Sequence, residues 1–177
     1  PINPDFHART LPDHIWRRSP RTDGIAAVIQ LHRMREVQAL SGFTRFEAEV
    51  PDIDGEYDTD VERAPLALEP QWFPAVENRG EGIFLRFDEA AVQAWEANAF
   101  DNPLFESMRR EHRGWRSARG LDPTVGWPSE RYVLLHSLSH ALINELAIEC
   151  GYSSASLTER IYSRRPGEGP EPMAGIL

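Results

Sequence analysis

From Ile25 to Val37 the run IAAVIQLHRMREV is rich in apolar residues without a clean period, so a strand extending toward Leu40 competes with a helix. The reversal signal Ser41-Gly42 and the segment after it favour the strand. There Phe43, Arg45, Glu47 and Glu49 alternate with Thr44, Phe46, Ala48 and Val50, the period of a strand with one face turned inward. Strands over 25–40 and 43–50 then make a hairpin, with the helix left open for the first of them. In WFPAVENRGEGIFLRF, two apolar runs flank Asn78-Arg79-Gly80-Glu81-Gly82, and the glycines allow the positive φ a reversal needs. A second hairpin is therefore expected, its outgoing strand at 82–87.

The C-terminal half reads as helical. Asp88 can cap DEAAVQAWEANA, because its carboxylate accepts from first-turn amides at the positive end of the helix dipole. Asn102-Pro103 starts a second helix with an apolar stripe at Phe105, Met108, His112 and Trp115, ended by Gly120. The most periodic element spans Ser129 to Cys150 and stops at Gly151, a natural left-handed terminator. Leu135, Leu138, Leu142 and Leu146 predict its buried side, widened by Leu134, Ala141 and Ile148. A short helix is expected over ASLTERIYS, capped by Ser153 or Ser154, and the final AGIL reads as the opening of a buried strand.

Residues 1–24 hold several prolines and the basic cluster Arg17, Arg18 and Arg21 with little periodicity, which predicts an extended arm. Residues 25–177 then form one α+β module, with a small mixed or antiparallel sheet packed on a long central helix. The composition of PDIDGEYDTD places an acidic loop near 51–63. Because an apolar strand start at the end of the chain leaves backbone groups without partners, the module is expected to be incomplete there and the chain to be a fragment of a larger protein.

Composition narrows the classes. The 177 residues include eight Phe and five Trp, enough apolar mass for a core. No apolar run approaches the roughly 20 residues that span a bilayer, and PINPDFHART lacks the features of a signal peptide, so a cytoplasmic protein is expected. The net charge of −9 is uneven: Glu47 to Glu62 is acidic, whereas Phe105 to Arg119 is basic. All nineteen basic residues are arginine, and with no lysine a Walker A loop is excluded.

Candidate chemistry is sparse, and no catalytic residue is assigned. His136 and His140 share a helix face at a spacing that chelates metals, but Ser137 stands where a zinc protease places its glutamate base. They are read as packing at the edge of the core, so the chain itself is expected to hold no metal and no other cofactor. A metal-dependent hydrolase or nuclease using His136, His140 and acids such as Glu149 is the alternative. Cys150, the sole cysteine, sits at a helix C-terminus, where the dipole disfavours a thiolate. Arg109, Arg113 and Arg116 share a face at i, i+4 and i+7 and are the DNA-binding candidates, against solvation or ion pairing of an amphipathic helix.

The block LLHSLSHALINELAIECGYSSASLTERIYS, from Leu134 to Ser163, resembles the signature of the DrmB family of the bacterial DISARM anti-phage system. LHRMREVQALSGFTRF, from Leu31 to Phe46, and WFPAVENRGEGIFLRF, from Trp72 to Phe87, resemble further blocks of it. The resemblance implies a non-enzymatic accessory subunit that works beside a DrmA-like helicase ATPase and supports DNA binding, while the lack of a long apolar run predicts no membrane partner. The resemblance also implies a zinc-binding cysteine cluster further along the full-length protein; that cluster is missing from this sequence, and only Cys150 matches a family cysteine position.

Overall fold

The computed structural model describes residues 5–40, 42–43, 64–65, 69, 71–153 and 156–177. Strands and helices follow in the order β1 (His7–Thr10), α1 (Asp13–Trp16), β2 (Ile25–Ala39), β3 (Gly42–Phe43), β4 (Ala64–Pro65), β5 (Ala75–Phe87), α2 (Glu89–Phe100), α3 (Pro103–Ala118), α4 (Ser129–Cys150), β6 (Ile161–Tyr162) and β7 (Gly175–Ile176). A five-stranded antiparallel sheet has the order β1-β2-β5-β7-β6, and β3 and β4 form a separate antiparallel pair. The fold is α+β, as the alternation of periods predicts.

Three sequence expectations change. Ala75–Phe87 is one continuous strand, not a hairpin: neither Gly80 nor Gly82 has positive φ, so no reversal occurs there. Strand β2 forms as read, but its neighbours in the sheet are β1 and β5, and Gly42–Phe43 pairs with Ala64–Pro65. Residues 44–50 and the acidic loop at 51–63 lie outside the described residues. The helix expected over ASLTERIYS is replaced at its end by β6, because Arg160 exchanges backbone hydrogen bonds with Leu177, N to O at 2.7 and 2.9 Å. Ser154 lies outside the described residues, and Ser153 offers its carbonyl, not its side chain, to the Ser156 amide.

The chain divides into two units. The first contains Pro1–Arg9 and Gln30–Gly82. Its outer strand surfaces are largely exposed, and a charge ladder decorates them: Arg35 binds Glu77 at 2.7 Å and Asp5 at 3.2 Å, while Arg79 reaches the same Glu77 at 2.6 Å. Hydrogen bonds from Arg79 and Arg35 hold the Glu77 carboxyl below its ordinary pKa.

The second unit contains Thr10–Ile29 and Ile83–Leu177, and helix α4 with the β5-β7-β6 part of the sheet makes its core. Val92, Leu135, Ile161, Ala174 and Ile176 form the buried cluster, against which Phe87, Tyr132 and Leu138 pack. Leu135 is fully buried, which stabilises the fold by about 1.5–3 kcal/mol relative to exposure. The terminal AGIL enters the sheet between β5 and β6, with Ala174 and Ile176 buried. Gly175 is required here, because a Cβ would lie 2.6 Å from the Phe84 ring on the adjoining strand.

Helix boundaries follow the local signals. The Asp88 carboxylate accepts from the Ala91 amide at 2.9 Å, Asn102 Oδ1 from Leu104 at 2.9 Å, and Gly151 ends α4 at φ 73°. The apolar stripe of α4 is another matter. Its first half is buried at Leu135 and half-buried at Leu138, whereas Ala141 and Leu146 are exposed and Ile148 is 77% exposed. Helix α4 is therefore central over its first half only.

Candidate functional site

Two constellations on the second unit carry the candidate chemistry. The first is the basic helix α3. Arg109 bonds Glu130 on α4 and the Phe100 carbonyl at 2.7 Å, with its guanidinium 4.9 Å over the Phe100 ring. Arg116 is 3% exposed and donates from Nε to the Asp122 carbonyl at 2.6 Å. Arg113 alone of the three is exposed. The structure does not bring the three guanidinium groups to one open surface, because helical spacing places Arg109 and Arg116 on the side that meets α4 and the following loop. The outward positions are Arg110 and Arg113, with Arg119 lying 4.1 Å over the exposed Trp115 ring. Trp115, expected in the apolar stripe, is 48% exposed.

The second constellation is the face of α4 bearing Tyr132, His136 and His140 at successive four-residue steps. The Tyr132 and His136 rings stack with centroids 5.6 Å apart, and His136 meets His140 edge-on at 4.4 Å. Opposite them stands Glu159, which sequence reasoning missed by assigning its segment to a helix. The hydrogen bonds between Arg160 and Leu177 fix its backbone neighbour, and Ile161 anchors the strand in the core. Glu159 Oε1 lies 2.6 Å from His136 Nδ1 and 3.7 Å from His140 Nε2. Glu149, the acid considered with the histidines, is exposed and takes no part in this cluster.

The polar balance of this cluster is incomplete. Although His136 Nδ1 and Glu159 Oε1 are close, the pair lacks hydrogen-bond geometry, and Nδ1 and Glu159 Oε2 are both buried without a hydrogen-bond partner. Burial, then the Glu159 carboxylate, pushes the Tyr132 phenol above its ordinary pKa, so the tyrosine stays protonated. Two imidazoles and a carboxylate can hold a divalent cation. Ser137, exposed beside His136, provides no carboxylate base for hydrolysis. Cys150 is exposed and belongs to neither constellation.

With these geometries in place, comparison with known proteins decides the relationship. The chain is 32% identical over 183 residues to DISARM protein DrmB of Bacillus paralicheniformis, an alignment covering 98% of this chain. It is similar to a segment of DrmB. The resemblance read from Leu134 to Ser163 is thereby borne out, and the DrmB-like chain spans 29% of that relative's length. No family model matches. Among the described residues, no helix is long and apolar enough to cross a membrane.

Proposed function

We propose that the DrmB-like chain is part of an accessory subunit of a DISARM-type anti-phage defence system, which associates with a helicase-like ATPase and supports its binding to DNA in the cytoplasm. The carrying observation is the 32% identity to DrmB along nearly the whole chain. Large apolar side chains on the outside of the first unit, among them Val37, Trp72 and Val76, are of the type that protein contacts bury. The DNA-facing surface is assigned to the outward arginines of α3, Arg110 and Arg113, because Arg109 and Arg116 are committed within the fold.

The test uses the full-length protein with its helicase-like partner. The protein should raise DNA-dependent ATP turnover of that partner and show none alone; equal turnover with and without it overturns the reading. Replacing Arg110 and Arg113 with Ala should weaken DNA binding across unrelated sequences and flatten its salt dependence by about two phosphate contacts. A second reading, metal-dependent hydrolysis, draws on the meeting of His136, His140 and Glu159. Cleavage of DNA by the purified protein with Zn²⁺ or Mn²⁺, lost on replacing His140, would establish it.

A further inference from the structure

We infer that His136, His140 and Glu159 form a binding site for a zinc-class divalent cation, separate from any cysteine cluster. Their three ligand atoms lie within 4.8 Å of one another, and they come from a rigid helix and a segment pinned by the β6-β7 pairing. Four-coordinate zinc with bonds of about 2.0–2.1 Å sets its ligand atoms roughly 3.3 Å apart. The two separations from Glu159 Oε1, 2.6 and 3.7 Å, bracket that value, and all three ligand atoms lie within 4.8 Å of one another, within reach of side-chain rotation.

The independent observation is the pair of orphaned atoms. A buried donor or acceptor without a partner is costly, and native folds seldom leave one. Here Nδ1 of His136 and Oε2 of Glu159 are both buried and unpartnered, and both belong to residues of the candidate ligand set. A cation between the three side chains satisfies the imidazole lone pairs and neutralises the carboxylate. Donor type selects the metal: two imidazoles with one carboxylate suit zinc, whereas magnesium and calcium take oxygen ligands.

The fourth position faces solvent beside His140, whose side chain is 60% exposed, and a water completes the shell. With serine at position 137, no carboxylate base adjoins that water on the helix. The ion therefore acts as a clasp, tying the middle of α4 to the strand that carries Ile161 into the core.

The test is zinc stoichiometry of the full-length protein, stripped with a chelator, reloaded with Zn²⁺ and counted by elemental mass spectrometry. Wild type should retain one more zinc per chain than His140→Ala or Glu159→Gln, and zinc affinity at that site should fall about 100-fold or more. His140→Ala removes an exposed side chain and is expected to leave circular dichroism unchanged. His140→Asp, which keeps a ligand atom, should recover part of the affinity. Equal zinc counts in wild type, His140→Ala and Glu159→Gln overturn the site, since any cysteine-bound zinc is common to all three.

Discussion

Arg131 and Glu89 face each other as a two-pronged pair, Nη2 lying 2.6 Å from Oε1 and Nη1 3.1 Å from Oε2. The same guanidinium reaches Glu96 at 2.8 Å and the Arg164 carbonyl at 2.8 Å, and its side chain is 0% exposed. Glu89 and Glu96 stand two turns apart on α2, so one residue in the first turn of α4 ties that helix to α2 and to the chain beyond β6. Burial works to lower the Arg131 pKa, but the hydrogen bonds and charges of Glu96 and Glu89 outweigh it.

Arg131→Met should therefore destabilise the protein by about 3–5 kcal/mol, since it strands two carboxylates against a buried surface. Arg131→Lys should rescue little, because an ammonium cannot make the paired fork. Adding Glu89→Leu and Glu96→Leu to the Met variant should recover much of the loss. Urea midpoints of the variants measure this, and a small loss for Arg131→Met would dismiss the network as a support.

Leu135→Ala should cost about 2–5 kcal/mol, as expected for a fully buried leucine in the core cluster. Leu142, two turns on and only half-buried, should cost about 1 kcal/mol. Equal losses at both positions would mean that the second half of α4 is as buried as the first.

These differences mark what could be read from the sequence. Helix ends were legible because their causes are local: Asp88 and Asn102 cap with their own side chains, and Gly151 supplies its own φ. The run from Ile25 to Ala39 forms the strand that its following turn favoured. Periodicity in α4 showed which leucines share a face, but not how far the opposing layer reaches, and that layer contacts the helix through Leu138. Glu159 was illegible for the same reason: its placement beside the histidines depends on the hydrogen bonds that its neighbour Arg160 exchanges with Leu177, far along the chain. In α3, spacing grouped Arg109, Arg113 and Arg116 on one face, but could not show that an acid and carbonyls on other elements engage Arg109 and Arg116 and leave only Arg113 exposed.

Gly126 has φ 75°, and a Cβ there would lie 2.8 Å from Nη1 of the buried Arg116. Gly120 has φ 74° with nothing within 4 Å of its missing Cβ. Gly120→Ala should cost about 1–2 kcal/mol from backbone strain alone. Gly126→Ala should cost about 2–4 kcal/mol, because it adds displacement of a buried guanidinium from the Asp122 carbonyl. Thermal unfolding of both variants decides it; equal costs would show that Arg116 moves aside freely.

His112 ties α3 to the loop before α4, its ring 5.6 Å from that of Trp127 and 6.5 Å from that of Trp115. Burial, then the positive charge of Arg116, holds its pKa below the ordinary 6.5, and a backbone hydrogen bond with Gly126 opposes them only in part. The folded protein therefore binds fewer protons at this position than the unfolded chain through the interval from about 6.5 down to the folded value. In that interval acidification favours unfolding, so the contribution of His112 is complete above pH 6.5 and is lost as pH falls through its folded pKa. His112→Phe keeps an aromatic ring between the tryptophans and removes the proton site. The stability difference between wild type and His112→Phe, measured by urea unfolding at several pH values, should thus shift in favour of the variant as pH falls from about 7.5 toward 5. A difference that stays constant over that range would show that His112 protonates equally in both states, and the link between this imidazole, Arg116 and the packing of α3 would be lost with it.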